Sequence, residues 1–277
     1  MIVLKFKVGA CEWILPGAGK GSIRLAKALG IDGLQLGFLS YDDGYPLFHR
    51  WFREMYMELS AEYSIELPSL AMCVYDIYGL KNPKNSKKGK IVYKTIDRSI
   101  EAACHMKMHM IMMPSFKDGL INDRYELERT ADALRYACDV AKDAEIIITS
   151  ENLLNTKEQM ELISMVDRKN FALFYDFENY TVFRQWDSLK LLKNLYSFIY
   201  PEMHVKDGID GVSSCMPIGE GHGRFAEIME YLKRMKFTGW LHIENRYTKL
   251  QLRNLSPNDL ISLVKRDVQT IIGASRK

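Results

Sequence analysis

Short apolar runs alternate with longer amphipathic ones from one end of the 277-residue chain to the other. Eight of the short runs have strand length: residues 2–8, 32–38, 63–72, 108–115, 145–151, 171–177, 202–207 and 239–245. Between them lie segments of helical periodicity. The first, "SIRLAKAL", starts near Ser22. "YPLFHRWFREMYMELSAE" follows Asp43 and Gly44, and "DRSIEAACHM" begins at Asp97. "DRYELERTADALRYACDVAKD" is long and strongly periodic. In "TKEQMELISMV", Thr156 is the expected N-cap and Gln159, three residues on, the expected partner in a capping box. "WDSLKLLKNLYSFI", "RFAEIMEYLKRM" and "SPNDLISLVKRDVQTII" complete the set, the last with Pro257 at a first helical position.

Eight strand–helix units in a chain of this length predict a (β/α)8 barrel, an architecture of about 250 residues. No linker or low-complexity stretch interrupts the alternation, so one barrel domain over residues 1–277 is expected. A doubly wound open sheet is the rival, and it often opens with a glycine-rich phosphate turn. The glycines of "PGAGKGS", residues 16–22, lack the GxxxxGK[ST] register: Ile14 stands where the first glycine belongs and Gly21 where the serine or threonine belongs. They predict a plain loop into the first helix.

Composition narrows the function classes. Apolar residues make up 47% and charged residues 26%, and no apolar run approaches membrane-spanning length. The opening "MIVLKFKVGACEWI" reads as a first strand, not a signal peptide, because Lys5 and Lys7 break its apolar part. The five cysteines are scattered without CxxC spacing, which predicts a reducing, cytoplasmic setting. A net charge of +3 is too small to carry a nucleic-acid binder. Five lysines crowd "KNPKNSKKGK", residues 81–90, but no aromatic residues interleave with them, so a solvated loop is expected.

Chemistry in such barrels gathers at the C-terminal ends of the strands. The fifth to eighth predicted strands place Glu151, Asp176, His204 and Glu244 near those ends, at intervals of 25, 28 and 40 residues. Each interval accommodates a crossover helix. Three carboxylates and one imidazole would then share one mouth. Carboxylates crowded on an apolar rim repel one another and lose solvation, and a divalent cation compensates most economically. Oxygen ligands with one nitrogen suit Mn2+, Mg2+, Co2+ or Zn2+, so one divalent ion is expected. His109 and His242 alternate within strands and read as core or helix-facing.

In its order of motifs the chain resembles the sugar phosphate isomerase/epimerase family with a xylose-isomerase-like barrel. The resemblance rests on "DGLQLGF", "SEN" at 150–152, "YDFEN" at 175–179, "MHVKD" at 203–207, "PIGEGHGRFAEIMEYL" at 217–232 and "GWLHIEN" at 239–245. It spans essentially the whole chain. It implies Glu151, Asp176, His204 and Glu244 as ligands of one divalent metal, and Glu151 and Glu244 as the groups that move the proton. The implied substrate is a small sugar or sugar phosphate, isomerised or epimerised through an enediolate. A metal-dependent inosose-type dehydratase and a non-catalytic carbohydrate-binding barrel are the alternatives. The chain departs from the ketose 3-epimerases at Asn179, where they carry a histidine, and in having no arginine shortly after His204. A related apurinic endonuclease group uses three zinc ions and many histidines; this chain has six histidines, and of these only His204 reads as lying at the mouth.

Further substrate contacts are expected from Asn179, Lys206, Trp13, Phe38 and Glu220. Trp13 and Phe38 could offer apolar faces to a carbon chain. Lys206 lies two residues beyond His204, on the same side of the strand if the strand extends that far, where it could hold a phosphate or hydroxyl. Neither nucleic acid nor membrane is an expected partner, and assembly into a homo-oligomer is compatible with this reading.

Overall fold

The computed structural model describes residues 5–15, 20–38, 45–247 and 257–276. Eight parallel strands close into a barrel: β1 (Lys5–Cys11), β2 (Gly33–Gly37), β3 (Ser69–Ala71), β4 (Met110–Pro114), β5 (Ile147–Glu151), β6 (Phe171–Asp176), β7 (Ile199–Val205) and β10 (Thr238–Ile243). Two further strands, β8 (Asp207–Ile209) and β9 (Val212–Met216), form a separate antiparallel hairpin. Helices fill the crossovers: α1 (Lys20–Leu29), α2 (Arg50–Tyr63), α3 (Lys87–His105), α4 (Arg124–Ala141), α5 (Thr156–Val166), α6 (Asn179–Arg184), α7 (Ser188–Leu195), α8 (Phe225–Arg234) and α9 (Pro257–Arg276). The (β/α)8 expectation is therefore met.

Contacts group the chain into two compact units. One comprises Met1–Gln35, Leu59–Glu66 and Tyr175–Lys277. In it β1 pairs with β10 along Lys5↔Thr238 to Ala10↔Ile243 and with β2 along Gly9↔Gly33 to Cys11↔Gln35. β10 pairs with β7 in a register that sets His242 beside His204. The other unit comprises Leu36–Glu58 and Leu67–Phe174. Its centre is β4, all five of whose residues are buried. Met110, Met112 and Met113 fill this core, as unbranched side chains do in irregular interior spaces.

Several boundaries move for local reasons. Residues 63–72 do not form one long strand. Tyr63 still belongs to α2, Ser64 turns at φ 54°, Glu66 makes an isolated bridge to Gly33, and the strand itself is Ser69–Ala71. The capping box of α5 sits one residue earlier than expected. Asn155 accepts from the Glu158 backbone N–H at 3.1 Å, and the Glu158 carboxylate accepts from the Asn155 N–H at 2.9 Å. The β8–β9 hairpin and the short α6 were not expected. The polar run "VSSC" hides the first, since its burial is supplied by the chain around it and not by alternating apolar residues.

The lysine-rich stretch is largely tied down. Lys81 donates to Glu126 and to the Leu120 carbonyl, Lys88 donates to Asp118, and Lys84 lies over the rings of Tyr93 and Tyr136. Residues 16–19 of the "PGAGKGS" loop, and Asp43 and Gly44 before the second helical segment, lie outside the described residues.

Candidate metal centre

Asp176 ends β6, and its backbone leads directly into α6. Its Oδ1 accepts from the Glu178 and Asn179 N–H groups at 2.8 and 2.6 Å, which opens that helix and fixes the carboxylate. Its Oδ2 accepts no hydrogen bond but forms an ion pair with the Lys206 ammonium, 3.1 Å away. One oxygen is thus spent on the fold and the other is left for a cation.

His204 lies near the end of β7 and is fully buried. Its Nε2 meets the Gln35 side-chain oxygen at 2.7 Å. An amide oxygen only accepts, so Nε2 carries the proton and Nδ1 presents its lone pair. That Nδ1 stands 3.4 Å from Glu244 Oε2. Gln35 on β2 was missed by sequence reasoning. Its signal is a single amide within the apolar run "GLQLG", fully buried in the structure.

Glu244 follows β10 and is anchored by its N–H to the Val205 carbonyl at 2.9 Å. Its Oε1 accepts from the Trp13 indole at 3.3 Å and its Oε2 from Lys206 at 2.5 Å. Burial opposes its charge, but the neighbouring Lys206 ammonium overcomes that and holds the carboxyl well below the ordinary range. The fourth expected ligand, Glu151, ends β5 and is buried. Within one compact unit, one donor atom from each of Asp176, His204 and Glu244 lies within 4.8 Å of the other two. A softer set of Cys11, His204 and Glu244 satisfies the same limit. The Oδ2 of Asp176, which accepts no hydrogen bond, the directed Nδ1 of His204 and the mixed oxygen and nitrogen donors fit a divalent ion.

The other expected contacts divide. Trp13, in a 3-10 turn after β1, touches Glu244 as above and packs edge-on to His204 with ring centroids 6.1 Å apart. Lys206 is buried, and its charge faces Asp176 and Glu244. Asn179 is buried, with its backbone engaged by Asp176. Phe38 and Glu220 have partners of their own. Phe38 is buried and stacks on Tyr45 and Phe48 at 4.9 and 5.0 Å, so its ring is consumed by core packing. Glu220 is exposed in a turn and pairs with Arg266 of α9. Among the histidines, His242 is core as expected, pairing with Glu202 at 3.0 Å, whereas His109 is exposed just before β4.

Polar residues that were not foreseen support this end of the barrel. Glu178 is fully buried and accepts from the Ser213 hydroxyl at 2.7 Å and the Ser214 N–H. Burial pushes its carboxyl up to about 7, against the lowering influence of Lys206. Asn245 accepts from the Asp207 N–H and donates to Asp267 of α9, which also accepts from the Tyr247 hydroxyl. A cavity of about 410 Å³ opens beside Trp13, lined also by Ile14, Leu15, Arg246 and Tyr247. Arg246 brings the one charged side chain among the described residues that line it.

A closed parallel barrel with acids and a histidine converging at its strand ends defines a metal-capable (β/α)8 protein. The model of the xylose isomerase-like TIM barrel family matches residues 23–263, and the chain belongs to that family. It is 29% identical over 217 residues to a 2-epi-5-epi-valiolone 7-phosphate 2-epimerase of Actinoplanes sp. (strain ATCC 31044 / CBS 674.73 / SE50/110), covering 78% of each chain. It is 24% identical to the L-ribulose-5-phosphate 3-epimerase UlaE of Salmonella typhi, covering 88% of each. Among solved structures, D-psicose 3-epimerase from Clostridium cellulolyticum H10, crystallised with D-tagatose, superposes with a TM-score of 0.76. It has 16% identity and 98% of each chain is covered; that likeness speaks to the fold. No helix among the described residues is long and apolar enough to cross a membrane.

Proposed function

We propose that the protein is a divalent-metal-dependent epimerase of a small phosphorylated sugar or sugar-like ketone. The observation that carries this reading is the convergence of Asp176, His204 and Glu244 within 4.8 Å, with Glu151 as the proposed fourth ligand. Asp176, His204, Glu244 and Glu151 hold the ion, which is Mn2+, Mg2+, Co2+ or Zn2+. When bound, it supplies Lewis-acid stabilisation of the charge that develops on the substrate oxygens.

The protein's own groups do the rest. Glu244 is kept ionised by Lys206, and the Trp13 indole orients its second oxygen. One glutamate removes the proton from the carbon beside the carbonyl, leaving an enediolate. The other returns a proton to the opposite face and inverts the centre. Glu151 and Glu244 fill these roles, one on β5 and one after β10. Arg246 lines the cavity beside Glu244 and offers a cation to the far end of the substrate. The names of the two curated relatives, both epimerases of phosphorylated compounds, support the same choice.

The test is an NMR screen in D2O of ketoses, ketose phosphates and inososes, with Mn2+-loaded enzyme quenched before acquisition. Deuterium should enter beside the carbonyl of a phosphorylated ketone. Glu151→Gln and Glu244→Gln should suppress it while retaining measurable metal. Loss of water from an inosose without epimerisation would reassign the site to dehydration. No exchange on any compound would refute the epimerase.

A further inference from the structure

Lys206 occupies an unusual place for a lysine. Its side chain is only 7% exposed, and its ammonium lies 2.5 Å from Glu244 Oε2 and 3.1 Å from Asp176 Oδ2. These two residues belong to the set proposed to hold the metal. Lys206 also exerts a favourable charge on the buried Glu178. One interior cation thus serves three neighbouring acids from two strand ends.

Buried carboxylates need a compensating charge, and a lone interior ammonium needs acids in return. Each is satisfied here by the other. The oxygens that satisfy Lys206 are also the ones a divalent ion would use. Asp176 Oδ2 has no hydrogen bond to fall back on, because Oδ1 takes both backbone N–H groups. Two cations cannot share these oxygens without strong mutual repulsion at short range.

We infer that Lys206 is the internal counter-ion of the acid cluster and competes with the divalent metal for Asp176 and Glu244, so that metal binding is an exchange of one cation for another. The inference rests on the metal reading of the site given above. Lys206 is a positioning residue in this scheme. It keeps the carboxylates together, and it lowers metal affinity by holding the same atoms. When metal enters, the ammonium leaves these oxygens.

The test uses Lys206→Met, which keeps length and removes charge, and Lys206→Arg, which keeps charge. Mn2+ affinity is measured by isothermal titration calorimetry after removal of metal with chelator, and melting temperature is followed with and without Mn2+. Lys206→Met should bind Mn2+ at least tenfold tighter than wild type. Its metal-free form should melt lower, and Mn2+ should raise its melting temperature by more than it raises that of wild type. Lys206→Arg should restore affinity toward the wild-type value. A variant that had merely lost packing would bind metal equally or more weakly, and that result overturns the inference. If Lys206→Met does not fold, lysine-selective 13Cε NMR of the wild type under Mg2+ titration replaces it. The Lys206 resonance must then move with metal occupancy, and a resonance that stays fixed refutes the exchange. Asp176→Asn separates the two readings. If wild type binds Mn2+, Asp176→Asn does not, and Lys206→Met is unchanged, only the exchange fails. If wild type binds no divalent ion, both fail.

Discussion

Replacing Gln35 by leucine isolates the one contact that sets the tautomer of His204. Leucine has a similar volume, so the barrel interior loses little packing, but the acceptor 2.7 Å from Nε2 disappears. His204 and Gln35 are both fully buried, so no water can replace that acceptor without opening the barrel. An unsatisfied buried donor costs about 1–3 kcal/mol. For a chain of this size that corresponds to a fall in melting temperature of roughly 2–4 °C per kcal/mol. The second effect falls on the metal. With Nε2 no longer held as a donor, the proton can move to Nδ1, the nitrogen that faces Glu244 at 3.4 Å, and the ligand lone pair is lost. Loss of such a supporting hydrogen bond typically weakens metal binding about 10–100-fold. Urea denaturation of the metal-free protein reads the first effect, and calorimetric titration with Zn2+ or Mn2+ reads the second. Gln35→Glu, which keeps an acceptor, should preserve metal binding better than Gln35→Leu. A leucine variant with unchanged stability and unchanged metal affinity would refute the tautomer argument.

Other consequences can be checked separately. Glu178 has its folded carboxyl raised to about 7, so its neutral form stabilises the fold below the unfolded carboxylate range, and that stability is lost as pH rises through 7. In chelator, wild type should therefore lose stability between pH 5 and 8, and Glu178→Gln should reduce that loss by up to about 3 kcal/mol, measured by urea denaturation at each pH. Arg246→Met should raise KM for a phosphorylated substrate about tenfold or more and leave KM for its unphosphorylated counterpart nearly unchanged, a split that steady-state kinetics reads directly. At Gly221 a methyl group would sit 2.3 Å from Asp207 Oδ1 and 2.5 Å from the Gly208 carbonyl, so Gly221→Ala should cost about 1–3 kcal/mol in chemical denaturation.

How much of this was legible beforehand depends on the distance over which each feature is decided. Strand count and type were readable because each run carries its own periodicity, and the four polar residues stood out because each interrupts an apolar stretch near its end. Those are local signals. Gln35 was visible as a polar residue in an apolar strand, but its meaning depends on His204, 169 residues away, which comes beside it only when the barrel forms. Phe38 had the right position for a rim residue; its actual neighbours, Tyr45 and Phe48, belong to the segment that follows, and their packing decides the outcome. Lys206 was expected to share a side with His204, and it does reach that cluster. Its partners could not be read from spacing, because Asp176 and Glu244 lie on other elements. The hairpin was missed because strand pairing at a barrel mouth needs little hydrophobic alternation once neighbouring loops cover it.

The glycine-rich turn after β9 has a consequence for how the molecule meets anions. The backbone N–H groups of Gly219, Gly221 and Gly223 all point at the Asp207 carboxylate, at 2.8–3.0 Å. Converging amides of this kind form a nest, the same device that captures phosphate in nucleotide-binding loops. Here the chain supplies its own anion, next to Lys206 in the chain and covalently tethered. A free phosphate would have to displace a carboxylate that is present at very high effective concentration. The turn is therefore closed to external anions despite its composition. An incoming phosphate is left to side-chain cations, and this turn works as an internal clasp that pins the hairpin to the start of α8.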